Sequence, residues 1–561
     1  MALPHTRRST LSLLISVSAL AACGGSEQPL GPGGGTFVVG QSAAVVRGQE
    51  MRVVPGATDG EFIAVVANVA LDSNTHADFA LRGDGLGAPP AGSTFDRIGA
   101  SRSAQGAAPL APSRDAAFES ALRERERVDL TPRFAAARSW NASRVPSLPV
   151  SLSVGDLVTA NVNALDPCTN PVRHALRVVA IGVKALVLAD TLNPKPGFTT
   201  ADFQRFAARF DTLVYPLDVA AFGEPTDIDR NGRIAIVFTR SVNELTPRNA
   251  TTYVGGLTFS RDLFPQTATS RTQACQSSNE GEFFYMMAPD PAGIVNGNRR
   301  TNGFVDTNTT AVLAHELVHL INASRKLYVN TAAPKFEEKW LDEGLAHVAE
   351  ELLFYRESGL APRSNIDFIA LSSSPRSRAA YFTEMGGNAA RYRDFISSTG
   401  STSPYSAGDP SVPTRGATWS LLRYLTDRVA PTDGDIWNRL VNNTAIGAAN
   451  LQSVYGRDLV SMIRDWQVSL ATDDFAATGP ELQQRSWNWR YVFAGSEGVS
   501  VFYPLKVTPM TTATSYTGTV VAGGSSYYRL SVPANSTATL SLGGQSGAAG
   551  SNLQLVIVRT K

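Results

Sequence analysis

Cysteine and histidine are scarce in this chain, and its positive and negative charges nearly cancel. Of 561 residues, three are cysteines and six are histidines, and the formal net charge is +1. Nucleic-acid binding requires a concentrated basic surface and no basic cluster interrupts the sequence, so no nucleic-acid partner is expected. The chain is too long for one compact core, and 43% of it is hydrophobic. These features predict a globular protein of several domains.

Long hydrophobic runs are absent except near the N-terminus. Arg7 and Arg8 precede an apolar run over residues 11–20, which is shorter than the roughly 20 residues that span a bilayer. The Leu-Ala-Ala-Cys sequence that ends at Cys23 resembles the bacterial lipobox. The resemblance implies a lipid anchor at Cys23 and a protein held at the cell envelope, on the outer membrane or cell surface. A plain signal peptide cut near Ala22, with secretion, is the alternative.

The two remaining cysteines, Cys168 and Cys275, do not resemble catalytic nucleophiles. In an exported chain they could form one disulfide, because the compartment is oxidising. Two buried free thiols are the alternative.

Half of the histidines lie in one short stretch, and two of them form the motif His315-Glu316-Leu317-Val318-His319. Residues four apart share a face of a helix, so both imidazoles can bind one metal ion, and zinc accepts such ligands. Glu316 can then reach a water on that metal and act as the general base in attack on a carbonyl. A buried His-Glu-His hydrogen-bond cluster without metal is the alternative interpretation.

A catalytic zinc site needs a third protein ligand, and residues 340–351 offer several. The pairing of His-Glu-x-x-His with a downstream Trp-Leu-x-Glu-Gly-x-Ala resembles the gluzincin zinc metallopeptidases. Twenty-three residues separate His319 from Glu343, which is nearest to the hyicolysin-like family. The resemblance implies that Glu343 joins His315 and His319 as zinc ligands, with Glu316 as catalytic base.

Four residues depart from the family pattern or are alternatives to the residues that it implies. Asp342 and His347 are alternative third ligands, and His347 could instead support the site through its ring N–H or lie on an outer turn. Arg415 is the first residue of an Arg-Gly-Ala sequence where relatives often have Tyr-Gly-Ala. The resemblance implies that Arg415 replaces the tyrosine and acts as a fixed cation that stabilises the oxyanion. Tyr405 is another candidate for that role, and a surface position for Arg415 is the alternative.

An acidic turn precedes the predicted strand over residues 233–239. Asp227, Asp229 and Asn231 have the spacing of a calcium loop, followed by a glycine. The acid expected at the twelfth position is missing, because Phe238 stands there. The sequence therefore leaves open a calcium site and a simple Asx-type turn.

The resemblance and the order of predicted elements together imply an α+β fold. Its zincin-like metalloprotease core would have a helical C-terminal subdomain, with small β-domains on both sides, and residues 282–288 would form an edge strand. Residues 115–128 read as a charged helix whose charges solvate an exposed face, and residues 115–148 are a candidate pro-segment. The predicted boundaries are 1–23 for the signal peptide, 24–35 for a flexible tether, 36–82 for an N-terminal β-domain, 83–150 for a linker and charged helix, 151–190 for a β-rich pre-catalytic module, 191–475 for the catalytic domain and 476–561 for a C-terminal β-sandwich.

These observations predict a zinc-dependent metallopeptidase that acts on proteins or peptides outside the cytoplasm. Two alternatives remain at this point. The chain could be an envelope binding or adhesion protein with a vestigial zincin core, or a zinc amidase that acts on cell-wall or glycoprotein amides.

Overall fold

The computed structural model describes residues 35–88, 113–139, 148–149, 151–267, 275–406, 412–495, 503–544 and 552–561, except residues 47, 115, 476 and 513. The signal peptide with Cys23, nearly all of the tether and much of the 83–150 linker lie outside these ranges, so the expectations for them stay predictions. Within these ranges, no helix is long and apolar enough to cross a membrane.

Strands from both ends of the chain form one β-sandwich. Apolar side chains alternate along these strands and point inward from two sheets, where they share a core. One sheet has the order Ser42–Val46, Leu553–Arg559, Gly60–Asn68, Ser525–Val532, Val507–Pro509, and the other Ser515–Val521, His76–Asp84, Ala538–Gly543, Glu50–Val53. The N-terminal and C-terminal β-rich stretches therefore contribute to the same two sheets.

A separate, six-stranded sheet supports the candidate site. Its order is Gly256–Thr258, Phe283–Met287, Ile234–Thr239, Ala185–Asp190, Arg173–Ile181, Leu157–Asn161. The 151–190 stretch therefore belongs to the same sheet as strands of the predicted catalytic domain. The prediction that residues 282–288 form an edge strand is wrong, because Gly256–Thr258 covers that side. All five residues of Phe283–Met287 are buried, as an internal strand requires.

Helices fill the rest of the α+β fold. Thr199 caps the first helix after the linker by a reciprocal pair of hydrogen bonds with Asp202, as its Thr-Thr-Ala-Asp sequence predicts. The α-helices are Ala116–Arg125, Phe134–Ser139, Thr200–Arg209, Tyr215–Phe222, Arg240–Glu244, Asn302–Tyr328, Lys339–Ser358, Phe368–Ser372, Pro375–Ala380, Gly386–Ile396, Val412–Val429, Ile436–Val441, Gly447–Tyr455, Leu459–Thr472 and Trp489–Gly495. π-Helical turns lie at Glu126–Leu130, Phe210–Val214 and Tyr381–Met385, 3₁₀ turns at Thr131–Arg133, Ser260–Leu263 and Pro480–Leu482, and a two-residue strand pair at Ser113–Arg114 and Thr252–Tyr253.

Two long helices carry the candidate site, and we name them by their residues. The motif helix, Asn302–Tyr328, contains the His-Glu-x-x-His sequence, and the ligand helix, Lys339–Ser358, contains Glu343. Gly344 allows a third helix, Val412–Val429, to approach the ligand helix closely, since a Cβ at this position would lie 2.5 Å from the Thr418 side chain. The packing fixes the ligand helix beside the motif helix.

A third element lies over both helices. We call residues Ala116–Ser139, which form consecutive helical turns, the covering segment. Arg138 near its end donates to the carbonyls of Lys326 and Ala333, so the segment is bonded to the end of the motif helix and to the loop that follows it. Leu130 and Phe134 are buried in the main core. The segment is therefore packed onto the motif helix and the main core as part of the fold.

Candidate metal centre

Two imidazoles and one carboxylate converge between the motif helix and the ligand helix. His315 Nε2 lies 3.5 Å from Glu343 Oε2, and His319 Nε2 lies 3.9 Å from Glu343 Oε1. One ligand atom from each of the three residues lies within 4.8 Å of the others. All three side chains are buried. The structure thus brings together the three residues that the resemblance implies as ligands.

A further carboxylate contacts the Nδ1 atom of each imidazole, on the side away from the convergence point. His319 Nδ1 lies 2.7 Å from Asp342 Oδ2, and His315 Nδ1 lies 3.0 Å from Glu350 Oε1. Because each Nδ1 faces a carboxylate, each Nε2 is directed toward the convergence point. Asn322 donates to the other oxygen of Asp342 over 2.7 Å, which fixes that carboxylate in turn. Asp342, an alternative third ligand in the sequence, therefore lies behind His319.

His347 is buried and shares a carboxylate with the first histidine. Its Nδ1 lies 3.2 Å from Glu350 Oε2, and its ring centroid lies 4.9 Å from that of His315. Arg391 also contacts this carboxylate, at 3.4 Å. An outer-turn position for His347 is therefore wrong. The three residues His315, His347 and Glu350 also form a second group whose ligand atoms lie within 4.8 Å.

Glu316 lies next to the ligand set, and the edge strand Gly256–Thr258 orients it. The backbone N–H of Thr258 donates to Glu316 Oε2 over 2.8 Å. The Thr258 hydroxyl donates to the carbonyl of Phe283 over 3.0 Å, which ties this part of the edge strand to its neighbour. One carboxylate oxygen is thus fixed by the backbone, in a site where Glu316 is 1% exposed. This arrangement suits a residue that must present its other oxygen in a defined direction.

The covering segment places an arginine at the same carboxylate. Arg123 Nη2 lies 3.6 Å from Glu316 Oε2 and donates to the carbonyl of Thr258 over 3.2 Å. Its other terminal nitrogen pairs with Glu126 over 2.6 Å, and Glu126 accepts from the backbone N–H of Ser260. The expectation that the charges of residues 115–128 solvate an exposed face is wrong for Arg123 and Glu126, which are buried.

The charges around the site determine the direction of two pKa shifts. Burial lowers the pKa of Arg123, but the carboxylates of Glu126 and Glu316 more than offset this effect and the net shift is upward. For His319, burial and the charge of Arg123 lower the pKa, whereas Asp342 and Glu343 raise it to a net upward shift. Arg123 is therefore a charged group beside Glu316.

Arg415 contacts the carboxylate of the third implied ligand. Its Nη1 lies 3.0 Å from Glu343 Oε2, and the same nitrogen pairs with Glu119 of the covering segment. Burial lowers the pKa of Arg415, and Glu343 and Glu119 raise it to a net upward shift. Gly416 permits this position, since a Cβ there would lie 2.2 Å from the carbonyl oxygen of Arg391. Arg415 is thus buried and not at the surface.

Tyr405, the other candidate for oxyanion stabilisation, is packed in a different environment. Its ring lies 5.7 Å from that of Trp340, and it is 1% exposed. Its hydroxyl lies close to Gly523, in the turn between two strands of the β-sandwich. A Cβ placed on this glycine would be only 2.7 Å from the hydroxyl oxygen. Burial raises the pKa of Tyr405 above its ordinary value. None of these contacts is with the convergence point of the two histidines.

The residues of the acidic turn form a separate cluster. Asp227 and Asp229 come together with Glu282, and one oxygen from each lies within 4.8 Å of the others. Asn231 donates to Asp229 and its own oxygen accepts from the backbone N–H of Arg233. The turn therefore has the Asx-type hydrogen bonds that the sequence allows, and it also gathers three acids.

Sequence reasoning missed four residues of the site: Arg123, Thr258, Asn322 and Glu350. Helical spacing gave a signal for two of them: Glu350 lies seven positions after Glu343 on the ligand helix, and Asn322 lies seven positions after His315 on the motif helix. Arg123 and Thr258 reach Glu316 from elements that are distant in sequence. No local pattern indicates such contacts.

Comparisons with known proteins give one partial match. No protein-family model matches the chain. The neutral metalloprotease ShpI of Staphylococcus hyicus is 30% identical to it over 154 residues. The match covers 28% of this chain and 31% of the staphylococcal protein, so the likeness spans less than a third of either. It shows a distant, partial similarity to a metalloprotease.

Proposed function

We propose that this protein is a zinc metallopeptidase of the gluzincin type, nearest the hyicolysin-like family, that hydrolyses peptide bonds in proteins or peptides. One observation carries the proposal. His315 and His319 each present Nε2 toward the Glu343 carboxylate while a second carboxylate holds each Nδ1. The partial likeness to a staphylococcal metalloprotease supports the same assignment.

The donor set fits zinc. Two imidazole nitrogens and one carboxylate are the ligands of one common type of catalytic zinc site. With zinc–ligand bonds of about 2.0–2.1 Å, a tetrahedral site separates its ligand atoms by roughly 3.3 Å. The separations of 3.5 and 3.9 Å between the imidazole nitrogens and the Glu343 oxygens need little adjustment to reach that value. His315, His319 and Glu343 would hold the ion.

Zinc in this position would supply a Lewis acid that polarises the scissile carbonyl and lowers the pKa of water. Glu316 would then take the proton of the attacking water at Oε1, because the Thr258 N–H holds Oε2. The same carboxyl would return that proton to the leaving amine. Arg415, which contacts Glu343, would supply a fixed positive charge near the ligand set. This charge would stabilise the negative charge that develops on the oxygen of the scissile carbonyl.

Substrate access requires that the covering segment move. His315, Glu316, His319 and Glu343 are each at most 3% exposed, so a peptide cannot reach them in this conformation. Next to the ligand set, Arg123, Asn322 and Asp342 line a cavity that the covering segment bounds on one side. Displacement of the segment would open this cavity toward solvent. We therefore include in the proposal that this structure is a closed, inactive form.

The proposed setting is outside the cytoplasm, with a lipid anchor at Cys23. Cys168 and Cys275 form a disulfide, which answers the question that the sequence left open. Disulfides persist in oxidising compartments, and this supports export. The N-terminal features that suggest the anchor lie outside the described residues.

The decisive experiment compares the wild-type protein with Glu316→Gln for zinc content and for cleavage of casein and a peptide library. The substitution keeps the shape of the side chain but removes its capacity to take a proton. We expect unchanged zinc content and a loss of turnover of 10²-fold or more, of the order expected for a general base. Glu357→Gln, at the end of the ligand helix, is the matched control and should retain activity.

Two results would contradict the proposal. Unaltered hydrolysis by Glu316→Gln would remove Glu316 from catalysis. Cleavage of peptidoglycan or glycoprotein amides in place of peptides would favour the amidase alternative.

A further inference from the structure

Three acidic side chains meet at one end of the six-stranded sheet, away from the histidines. Asp227 and Asp229 lie in the turn before Ile234–Thr239, and Glu282 directly precedes Phe283–Met287. These two strands are parallel neighbours, with Phe283 opposite Ala235, so their first residues lie at the same end of the sheet. One oxygen of each acid lies within 4.8 Å of the other two. The topology therefore creates this acidic cluster.

Glu282 is buried in the cluster with one oxygen unsatisfied. It is 3% exposed, and its Oε1 accepts from the backbone N–H of Ile228 over 2.9 Å. Its Oε2 is buried and has no hydrogen-bond partner. Burial of a carboxylate oxygen without a partner is costly unless a cation or proton compensates. An oxygen in this condition, beside two aspartates, is suited to bind a cation.

Basic side chains do not supply that compensation. Among the described residues, no lysine or arginine forms an ion pair with any of the three acids. Arg233, the nearest arginine along the chain on the strand side, donates through Nε to the carbonyl of Gly182 over 3.0 Å. The described lysines and arginines thus leave the three carboxyls without an ionic partner, and burial raises the pKa of Glu282.

We propose that Asp227, Asp229 and Glu282 bind a calcium ion. The cluster offers only oxygen ligands, which calcium prefers, and its open side toward Asp227 leaves room for backbone carbonyls and water. The acidic turn lacks the acid that ends a calcium loop, because Phe238 occupies that position inside a buried strand. Glu282 supplies the missing carboxylate from the neighbouring strand.

This ligand set differs from the one that the sequence suggests. The Asn231 oxygen accepts the backbone N–H of Arg233 over 2.6 Å and closes the turn. In the proposed site, Asn231 shapes the loop and Glu282 takes its place as the third side-chain ligand. A sequence pattern could not show this, because Glu282 lies 53 positions after Asp229.

The test measures calcium binding on the whole protein, by equilibrium dialysis with radioactive calcium, and zinc content on the same samples. We expect one calcium per chain with a dissociation constant of about 10⁻⁴–10⁻³ M, as in extracellular modules. Glu282→Gln and Asp227→Asn should each weaken binding at least tenfold and leave zinc content unchanged. Glu224→Gln, an exposed acid at the start of the same loop, is the matched control and should bind calcium normally.

Thermal unfolding separates a binding role from a structural one. Without calcium, Glu282→Gln should melt at or above the wild-type temperature, because it replaces a buried carboxyl group that has no partner at Oε2. With millimolar calcium, the wild type should gain stability and the variant should not. A wild-type protein that binds no calcium at several millimolar, or binds magnesium more tightly, overturns the proposal. So does a Glu282→Gln variant that binds as well as the wild type. If Glu282→Gln fails to fold, Asp227→Asn decides, since its side chain is exposed.

Discussion

The guanidinium of Arg123 lies 3.6 Å from the carboxylate of Glu316. Arg123 belongs to the covering segment, whereas Glu316 is the proposed general base on the motif helix. The two charges are opposite, and the carboxylate of Glu316 helps to raise the pKa of Arg123. Glu119 of the same segment forms an ion pair with Arg415. The covering segment therefore contacts two residues of the proposed catalytic site, Glu316 and Arg415.

Weakening this contact should increase peptidase activity. Arg123→Met would break a buried ion pair and leave Glu126 without its partner, which typically costs about 3–5 kcal/mol. This cost would favour displacement of the covering segment, and we expect several-fold faster peptide hydrolysis. Arg125→Met is the matched control, because Arg125 donates to the carbonyl of Leu165 instead. Loss of activity in Arg123→Met would indicate that Arg123 assists catalysis.

Substitution of the carboxylates around the histidines should lower the affinity for zinc to different extents. Glu343→Ala removes a proposed ligand and should lower zinc occupancy most. Asp342→Asn and Glu350→Gln leave the ligands in place but weaken the hold on His319 and His315, so we expect affinities reduced about 10–100-fold. Competition with a chelator of known affinity measures all three. A larger loss from Asp342→Asn than from Glu343→Ala would indicate that Asp342 is the third ligand and Glu343 is not.

Removal of the disulfide should destabilise the fold. Cys168 and Cys275 close a loop with a sequence separation of 107 residues. Loop entropy for a separation of this size predicts a contribution of up to about 4.7 kcal/mol. The double variant Cys168→Ser/Cys275→Ser should therefore lower the free energy of unfolding by about 2–5 kcal/mol in urea titrations. An unchanged unfolding midpoint would show that the cross-link does not constrain the unfolded chain.

Stability should fall as pH rises from about 5 to 8, in part because of Glu384. Burial and the negative charge of Glu357 raise its pKa to about 8, from an ordinary value of 4.5. The folded state therefore holds this proton more tightly than the unfolded state. The resulting stabilisation is complete below pH 4.5 and is lost as pH approaches 8. Urea midpoints at several pH values should decline less steeply in Glu384→Gln. An equally steep decline in that variant would assign the effect to other groups.

Local sequence patterns predict the elements of the site better than its contacts. The motif spacing and the apolar residues between the histidines predict the motif helix, and the run around Glu343 predicts the ligand helix. The sequence predicts these helices over residues 307–326 and 335–356, and the observed helices differ from these bounds by two to five residues. The sequence also predicts a charged helix over residues 115–128, the first part of the covering segment. The burial of this part depends on partners such as Glu316, which lies 193 positions after Arg123. Helical periodicity carries no information about such distant partners.

Strand pairing shows the same limit. Alternating apolar residues identify strands and the face that each one buries, but they do not specify the neighbour. Ser42–Val46 and Gly60–Asn68 both pair with Leu553–Arg559, and the sequence contains no sign of this. Likewise, Phe283–Met287 reads equally well as an edge or an internal strand until Gly256–Thr258 is placed beside it.

The pairing across the chain also determines the order in which the protein can fold as it is made. In the sheet, Leu553–Arg559 lies between Ser42–Val46 and Gly60–Asn68. During synthesis, these two early strands can pair with it only after more than 450 further residues have been added. The helices that carry the histidines have all their local contacts long before that. A chain interrupted before residue 553 would leave two strand edges open, which makes it prone to pair with other chains or to be degraded. The five-stranded sheet of the sandwich can thus be completed only after residues 553–559 have been made.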